Sequence, residues 1–382
     1  METLRLAHVA PYLHPHVGGV ESHVEGVCAE LARRGHDITV VTSRLPDTPE
    51  REERDGYKIL RAPMPANLFT TPITPRLGRA LDEAAPRLVH AHSPPPVSSW
   101  YASRWCRRRG VPFALTYHCD LEIPVPGGGV IVEVYRRTLG RATVRRADAL
   151  VATTTTYAQT SRSLWSRDDV EVVPNAVDAT RFSPDVDGAA IRARHGLGDA
   201  PVALFVGRLT HHKGVEELVR AAALTGPQVK HLIVGDGPKR AAFEAMARQA
   251  APGRIVFAGR VSAEELPAYY RAADVGVLPS TSRLEAFGIA ALECMASGRP
   301  VVVSRMPGVE EVIEPDVTGL LAEPLDAEDL AAQIRALALD PERARAMGKA
   351  ARERVLERFT LPRVVDRLEA IYRALQTGQK PS

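Results

Sequence analysis

Through the first half of the chain, apolar runs of five to seven residues alternate with longer stretches of helical periodicity; the runs lie at 4–10, 38–42, 87–92, 112–118, 149–153 and 170–174. Runs this short and this continuously apolar, separated by helices, suit parallel strands covered on both faces. A polar, turn-rich stretch, R-F-S-P-D-V-D-G (181–188), interrupts the pattern and reads as an interdomain linker. The alternation restarts at 201–209, 231–238, 254–261, 274–279 and 299–304. The prediction is an α/β chain of two Rossmann-like domains, 1–180 and 181–360, whose parallel sheets face each other across a deep cleft. A length of 382 residues suits two domains of ordinary size. Residues 361–382 are expected to form a closing helix and a short disordered tail, T-G-Q-K-P-S.

Candidate chemistry is densest at 280–300, S-T-S-R-L-E-A-F-G-I-A-A-L-E-C-M-A-S-G-R-P, directly after the run V-G-V-L-P. Residues 286–297 are mostly helix formers and Gly298 supplies a stop, so the stretch predicts a strand, a loop and a helix N-terminus. In α/β folds such helix mouths bind anions and nucleotides. Glu285 at the mouth and Glu293 about two turns in could each accept hydroxyls of one elongated ligand, with the amides of Phe287, Gly288 and Ile289 pointing at negative charge between them. Acidic residues near helix starts are also common for stability alone.

Three other strand ends carry candidates. Gly18 and Gly19 precede a helix predicted over 20–34 and would let backbone approach a phosphate, although most such pairs are plain turns. His118 and Asp120 follow the run that begins at 112, at the carboxyl end where α/β sheets place ligands. Cys119 between them forms no dyad with His118, because neighbours on a strand point to opposite faces. Arg208 and Lys213, in G-R-L-T-H-H-K-G (207–214), put two cations in one strand-to-helix loop, which suits a diphosphate; loop cations are otherwise mostly solvated.

Composition narrows the partners. With 45% hydrophobic and 25% charged residues the chain is an ordinary globular protein. A formal charge of +3, with no basic run interleaved with stacking aromatics, speaks against nucleic acid. The four cysteines, Cys28, Cys106, Cys119 and Cys294, are scattered without metal-ligand spacing, which suits a reducing cytosol. An acid at Glu2 and a polar turn at Pro11 predict a first strand in place of a signal sequence, and no apolar run approaches the ~18 residues of a membrane span. A cytoplasmic protein is expected.

The two glutamates separated by seven residues, with Phe-Gly inside and M-A-S-G-R-P-V-V following, resemble the signature of retaining glycosyltransferases of family 4, which have the GT-B fold. The G-R-L-x-x-x-K-G loop and the early Gly-Gly match the same family, and the likeness covers nearly the whole chain. It implies transfer of a hexose-type sugar from a UDP- or GDP-sugar to a hydroxyl acceptor, with the anomeric configuration retained and no cofactor. Glu285 would contact the transferred sugar and Glu293 the ribose. Arg208 and Lys213 would hold the diphosphate, with Gly18, Gly19, Gly207, Phe287, Gly288 and Ile289 around the donor. The resemblance further places Val261 near the base, His118 near the reacting sugar and Asp120 on the acceptor side. It also implies a closing helix that returns to the N-terminal domain, and front-face attack in which the departing phosphate takes the acceptor's proton. Asp185 and Asp187 match the D-x-D of metal-dependent glycosyltransferases, but they lie in the expected linker, where acids cap the next helix, so no metal is expected.

Residues 99–146 carry nine arginines (104, 107, 108, 109, 136, 137, 141, 145, 146) against Asp120, Glu122 and Glu133. Solvated helix faces would explain them; an anionic membrane surface carrying a lipid-linked acceptor is the sharper expectation, placing the protein at the inner face of a membrane. A small-metabolite acceptor is the other. Rival activities are a GT-B nucleotide-sugar epimerase, which needs no acceptor, a sugar phosphorylase, and a non-catalytic nucleotide-sugar sensor. The sensor is disfavoured because His118, Arg208, Lys213 and Glu285 are all present.

Overall fold

The computed structural model describes residues 2–16, 18–123, 125–164 and 167–379. The chain forms two compact units, Met1–Ala176 with Leu361–Ser382, and Val177–Thr360.

In the first unit β1 (Arg5–Val9) leads through α1 (Gly19–Arg33) to β2 (Asp37–Ser43), then β3 (Arg51–Arg54) and β4 (Tyr57–Ala62). A separate hairpin, β5 (Ala66–Leu68) and β6 (Thr71–Ile73), is followed by α2 (Leu77–Ala84), β7 (Leu88–Ser93), α3 (Pro96–Arg109) and β8 (Phe113–Tyr117). Next come α4 (Gly128–Tyr135), a π turn at Arg136–Gly140, α5 (Arg141–Arg146), β9 (Ala149–Ala152), α6 (Thr155–Thr160) and β10 (Val170–Val172). The main sheet runs β10-β9-β8-β7-β1-β2-β4-β3, parallel throughout except for the antiparallel edge strand β3. That edge reads R-E-E-R, and charge on an edge strand discourages pairing with another chain.

The second unit contains α7 (Ala189–Arg194), β11 (Val202–Val206), α8 (Val215–Leu224), β12 (Lys230–Val234), α9 (Arg240–Ala250), β13 (Ile255–Gly259) and α10 (Leu266–Ala272). β14 (Val275–Leu278), α11 (Ile289–Ala296), β15 (Val301–Ser304), β16 (Gly319–Ala322), α12 (Ala327–Ala338) and α13 (Pro341–Arg358) complete it. Its six strands are all parallel, in the order β13-β12-β11-β14-β15-β16. Along β11, Leu204 joins one apolar core while Ala203 and Phe205 join the other, so both faces of the sheet are covered. This double burial is why the strands read as continuous apolar runs.

The last helix, α14 (Leu361–Gln376), belongs to the first unit, where Val364, Leu368 and Tyr372 share a core with Val24, Val27 and Leu31 of α1. Gly26 permits this packing, since a Cβ there would lie 2.9 Å from the Leu361 side chain. Of the tail expected to be disordered, Thr377 donates its amide to Arg373 O at 3.1 Å, and Lys380, Pro381 and Ser382 lie outside the described residues. No helix among the described residues is long and apolar enough to cross a membrane.

The stretch 181–188 is not a linker. Phe182 is only 3% exposed in the core of the second unit, and the Arg352 guanidinium holds the carbonyls of Ala179 and Phe182 at 2.8 Å each. The second unit starts earlier, at Val177, whose amide donates to Phe359 O at 2.9 Å.

Candidate active site

Strand order in the second unit reverses between β11 and β14, which pair through Ala203–Val275 and Leu204–Gly276. The helices that follow these strands cover opposite faces, α8 on one core and α11 on the other. Their connecting loops therefore diverge at the carboxyl ends of the strands, the position where open α/β sheets bind ligands.

The loop 207–214 is clamped from both sides. Gly207 N donates to Val234 O at 3.0 Å, Leu209 N to Asp236 O at 3.0 Å, and Lys239 N to Leu209 O at 3.2 Å. The G-D-G at 235–237 makes this possible: Gly235 has φ +132°, and a Cβ there would lie 1.9 Å from Gly207 O. On the other side Gly214, at φ +67°, lies against the next loop so closely that a Cβ would meet Pro279 O at 1.7 Å, and Thr281 N donates to His212 O at 2.9 Å. The two loops thus bring Lys213 Nζ into an ion pair with Glu285 Oε2, an oxygen that Ser280 Oγ also reaches at 3.3 Å. The side chains of the pair are 21% and 10% exposed. Arg208 is exposed and has no carboxylate partner among the described residues. Burial, and then the charge of Lys213, lowers the His212 pKa to about 4, so its imidazole is neutral at pH 7.

The helix predicted over 286–297 begins later, at Ile289. Gly288 takes φ +89° with no room for a Cβ, which would meet Leu278 at 2.7 Å, and Ala286 and Phe287 bury their side chains before the helix starts. The Phe287 ring packs edge-on to Phe359 at 6.1 Å, so this residue offers a ligand its backbone only. The amides of Phe287, Gly288 and Ile289 have no hydrogen-bond partner among the described residues and lie at the positive end of α11. Further along, Glu293 is half-buried and accepts the Tyr270 hydroxyl on Oε2 at 2.7 Å. Burial pushes its pKa up to about 7, against the opposing effect of the Tyr270 hydrogen bond. Val261, just past β13, is half-buried against the core.

In the first unit Gly18 is the N-cap of α1 in extended conformation (φ −165°), so its smallness and not its φ is what counts: a Cβ would lie 2.3 Å from Glu21 Oε2. Gly19 opens the helix, whose first amides lack intrahelical partners. His118 is 4% exposed at the carboxyl end of β8, anchored by its amide to Ser93 O at 2.7 Å, and its ring lies 5.9 Å from that of His23 on α1. Burial lowers the His118 pKa to about 3. Asp120 accepts the Ser161 hydroxyl at 2.6 Å and donates its amide to the Tyr157 hydroxyl, which ties the strand end to α6. Asp185 accepts from Ser183 Oγ at 2.8 Å, and Asp187 accepts the Ala189 amide at 2.9 Å, at the start of α7.

Several participants went unread in the sequence. Tyr270, which holds Glu293, and Ser280, beside Glu285, carry no motif. The histidines His8, His90 and His92 did leave a signal, since H-A-H on a strand puts both rings on one face.

Residues 17–181 match the family model Glycosyltransferase Family 4, and residues 187–354 match Glycosyl transferases group 1. Over 361 residues the chain is 31% identical to the GDP-mannose-dependent alpha-(1-6)-phosphatidylinositol monomannoside mannosyltransferase of Mycolicibacterium smegmatis, spanning 90% of this chain and 92% of that protein. The chain belongs to glycosyltransferase family 4. This glycosyltransferase is also 30% identical over 357 residues to the Alpha-D-kanosaminyltransferase of Streptomyces kanamyceticus, spanning 90% and 91% of the two chains. It has the GT-B fold: the sucrose-phosphate synthase of Thermosynechococcus elongatus superposes with a TM-score of 0.82 at 26% identity, over 98% of this chain and 99% of that one.

Proposed function

We propose that this family-4 glycosyltransferase moves a hexose-type sugar from a nucleotide sugar to a hydroxyl acceptor with retention and without a metal ion. The observation that carries this reading is the Lys213–Glu285 pair, set beside the unpartnered amides at 287–289 where the strand order reverses. A cation and a carboxylate held side by side suit the junction between a diphosphate and a sugar. Lys213, the exposed Arg208 and the helix mouth oppose the charge that builds on the leaving diphosphate, which is the work a metal would otherwise do. Glu285 orients the sugar, and Glu293 receives ribose hydroxyls. The acceptor oxygen attacks the anomeric carbon on the face the phosphate leaves, the bond to phosphate oxygen breaks, and that oxygen takes the acceptor's proton. The reading without a metal is supported by the local hydrogen bonds that engage Asp185 with Ser183 Oγ and Asp187 with the Ala189 amide.

The Mycolicibacterium relative is named for GDP-mannose, which makes GDP-mannose the first donor to test against other GDP- and UDP-sugars. The acceptor is lipid-linked or a small metabolite. A lipid surface is supported by exposed Val130, Ile131, Val134 and Leu139 on one helical segment next to the arginines of 136–146. The test is product analysis with each donor in excess EDTA, with and without acceptor, followed by NMR of the product's anomeric proton. Retained configuration in EDTA is expected. Activity that disappears in EDTA and returns with manganese, or a donor isomerised without acceptor, would overturn the reading.

A further inference from the structure

A cavity of about 830 Å³ opens in the first unit where the chain enters β8, β9 and β10. These strands are neighbours and parallel, so the cavity lies at the amino ends of the sheet. His118 follows the other end of β8, ~16 Å away by the rise of a strand, which separates the cavity from the candidates at the carboxyl ends. Its volume falls within the roughly 300–1,000 Å³ usual for small-molecule sites.

The walls carry four arginines, Arg107 at the end of α3, Arg145 and Arg146 at the end of α5, and Arg167, against two acids, Asp148 and Asp169. Both acids are engaged. Asp148 accepts the Phe113 amide at 2.8 Å, and Asp169 accepts from Arg167 Nε and Nη2 at 2.6 and 3.0 Å. Arg167 Nη1 also donates to the carbonyls of Val144 and Ala147 at 3.1 and 2.7 Å, which fixes the end of α5 and with it the adjacent arginines. The ion pairs around the cavity join Arg109 to Asp82, Arg136 and Arg137 to Glu133, and Arg167 to Asp169. None among the described residues engages Arg107, Arg145 or Arg146. Arg146 Nη1 is buried with no hydrogen-bond partner. Burial, and then the charges of Arg107 and Arg104, lower the Arg146 pKa.

The helix dipole favours arginine at a helix C-terminus, and that accounts for the exposed Arg107 and Arg145. It does not account for Arg146, half-buried, with one arm of its fork closed off from water and like charges beside it. A buried water would accept one hydrogen bond and leave the repulsion in place. An anion answers both. Four cations against two carboxylates leave two positive charges uncompensated among the lining residues. A carboxylate brings one negative charge, whereas a phosphate monoester brings nearly two at neutral pH, on oxygens that suit the guanidinium fork.

We infer that this cavity binds the phosphate of a phosphate monoester, held by Arg146 with Arg107 and Arg145, while the organic body lies on the apolar wall of Cys106, Pro112 and Leu375. The site does not rest on the proposed transfer reaction. Its monoester is a soluble metabolite or a lipid headgroup of the same chemistry, and the test separates the two.

The test is calorimetry at pH 7.5 with inorganic phosphate and glycerol 3-phosphate, each against potassium chloride at equal ionic strength. Both phosphates should raise Tm by several degrees at saturation, and the rise should survive Arg208→Ala, which removes a cation proposed for the donor diphosphate. Arg146→Met keeps an unbranched stem, so it should fold, and it should bind glycerol 3-phosphate at least about tenfold more weakly. In chloride alone it should melt at or above the wild-type Tm, because the orphaned arm and the repulsion are gone. Absence of the phosphate shift, a shift lost in Arg208→Ala but kept in Arg146→Met, or a lower Tm of Arg146→Met in chloride would each overturn the inference. Vesicle flotation then assigns the source. Preference for phosphatidic acid over phosphatidylglycerol at equal surface charge, abolished by Arg146→Met, supports a lipid headgroup, and absence of that preference supports a soluble monoester.

Discussion

Replacing Glu293 by glutamine should stabilise the fold above neutral pH while loosening its hold on the nucleotide. The Glu293 carboxyl has its pKa raised from 4.5 to about 7, chiefly by burial. In the unfolded chain it titrates near the ordinary value, so between about pH 4.5 and 7 the folded state binds more protons and stability falls as pH rises. Carried across that window at ~1.4 kcal/mol per pH unit, the ionised carboxylate costs the fold about 3 kcal/mol once the pH is above 7. Glutamine keeps the size, still accepts the Tyr270 hydroxyl through its carbonyl oxygen, and has no charge to desolvate. At pH 8 the variant should therefore be more stable by about 2–3 kcal/mol, a rise in Tm of several degrees, while at pH 5 the difference should shrink to under about 1 kcal/mol. In the proposed function the same change removes a charged acceptor for ribose hydroxyls, so the Kd for free nucleoside diphosphate should rise by about tenfold or more. Ribose contacts are common to ground and transition states, so donor KM should rise more than kcat falls. Scanning calorimetry at pH 5, 6, 7 and 8, with titration calorimetry of the nucleotide, covers both halves. Equal Tm values at pH 8 would refute the burial account, and unchanged nucleotide affinity would refute the ribose placement.

Arg208→Ala and Lys213→Ala should each lower turnover by about a hundredfold or more at saturating donor while the protein stays folded; near-normal turnover in either would remove the diphosphate assignment. Glu285→Gln should lower kcat sharply with little change in nucleotide affinity, since in the proposed function its partner is the sugar that gains positive charge. Loss of nucleotide binding there, with Glu293→Gln binding normally, would exchange the two roles. Reversing Arg107, Arg108 and Arg109 to glutamate should abolish binding to anionic phospholipid vesicles at ordinary salt and leave donor KM unchanged. Wild-type binding indifferent to salt and lipid charge would end the membrane reading.

The strands buried on both faces were legible at once, because covering both faces of a parallel sheet leaves an unbroken apolar run such as V-A-L-F-V (202–206) that local residue types announce. The strands that were missed include Y-K-I-L-R-A (57–62), which mixes charge into its pattern, its charged edge partner R-E-E-R (51–54), the three-residue strands at 66–68 and 71–73, and G-L-L-A (319–322), too short to stand out. The candidate site was legible where residues suited to a diphosphate and to hydroxyls stand close together along the chain, as in G-R-L-T-H-H-K-G and the two-glutamate helix. Its working geometry was not. The late start of α11 depends on Gly288 meeting Leu278, the ion pair depends on Gly214 fitting under Pro279 O, and the raised pKa of Glu293 depends on burial beside Tyr270. Each is a contact between residues 10 to 72 positions apart (278 and 288, 213 and 285), set by how loops and helices close over a finished sheet. Residue type and spacing therefore announce the strands and the reactive groups, whereas which oxygen meets which nitrogen, and which carboxyl loses its water, follow from packing between segments that the chain order does not relate.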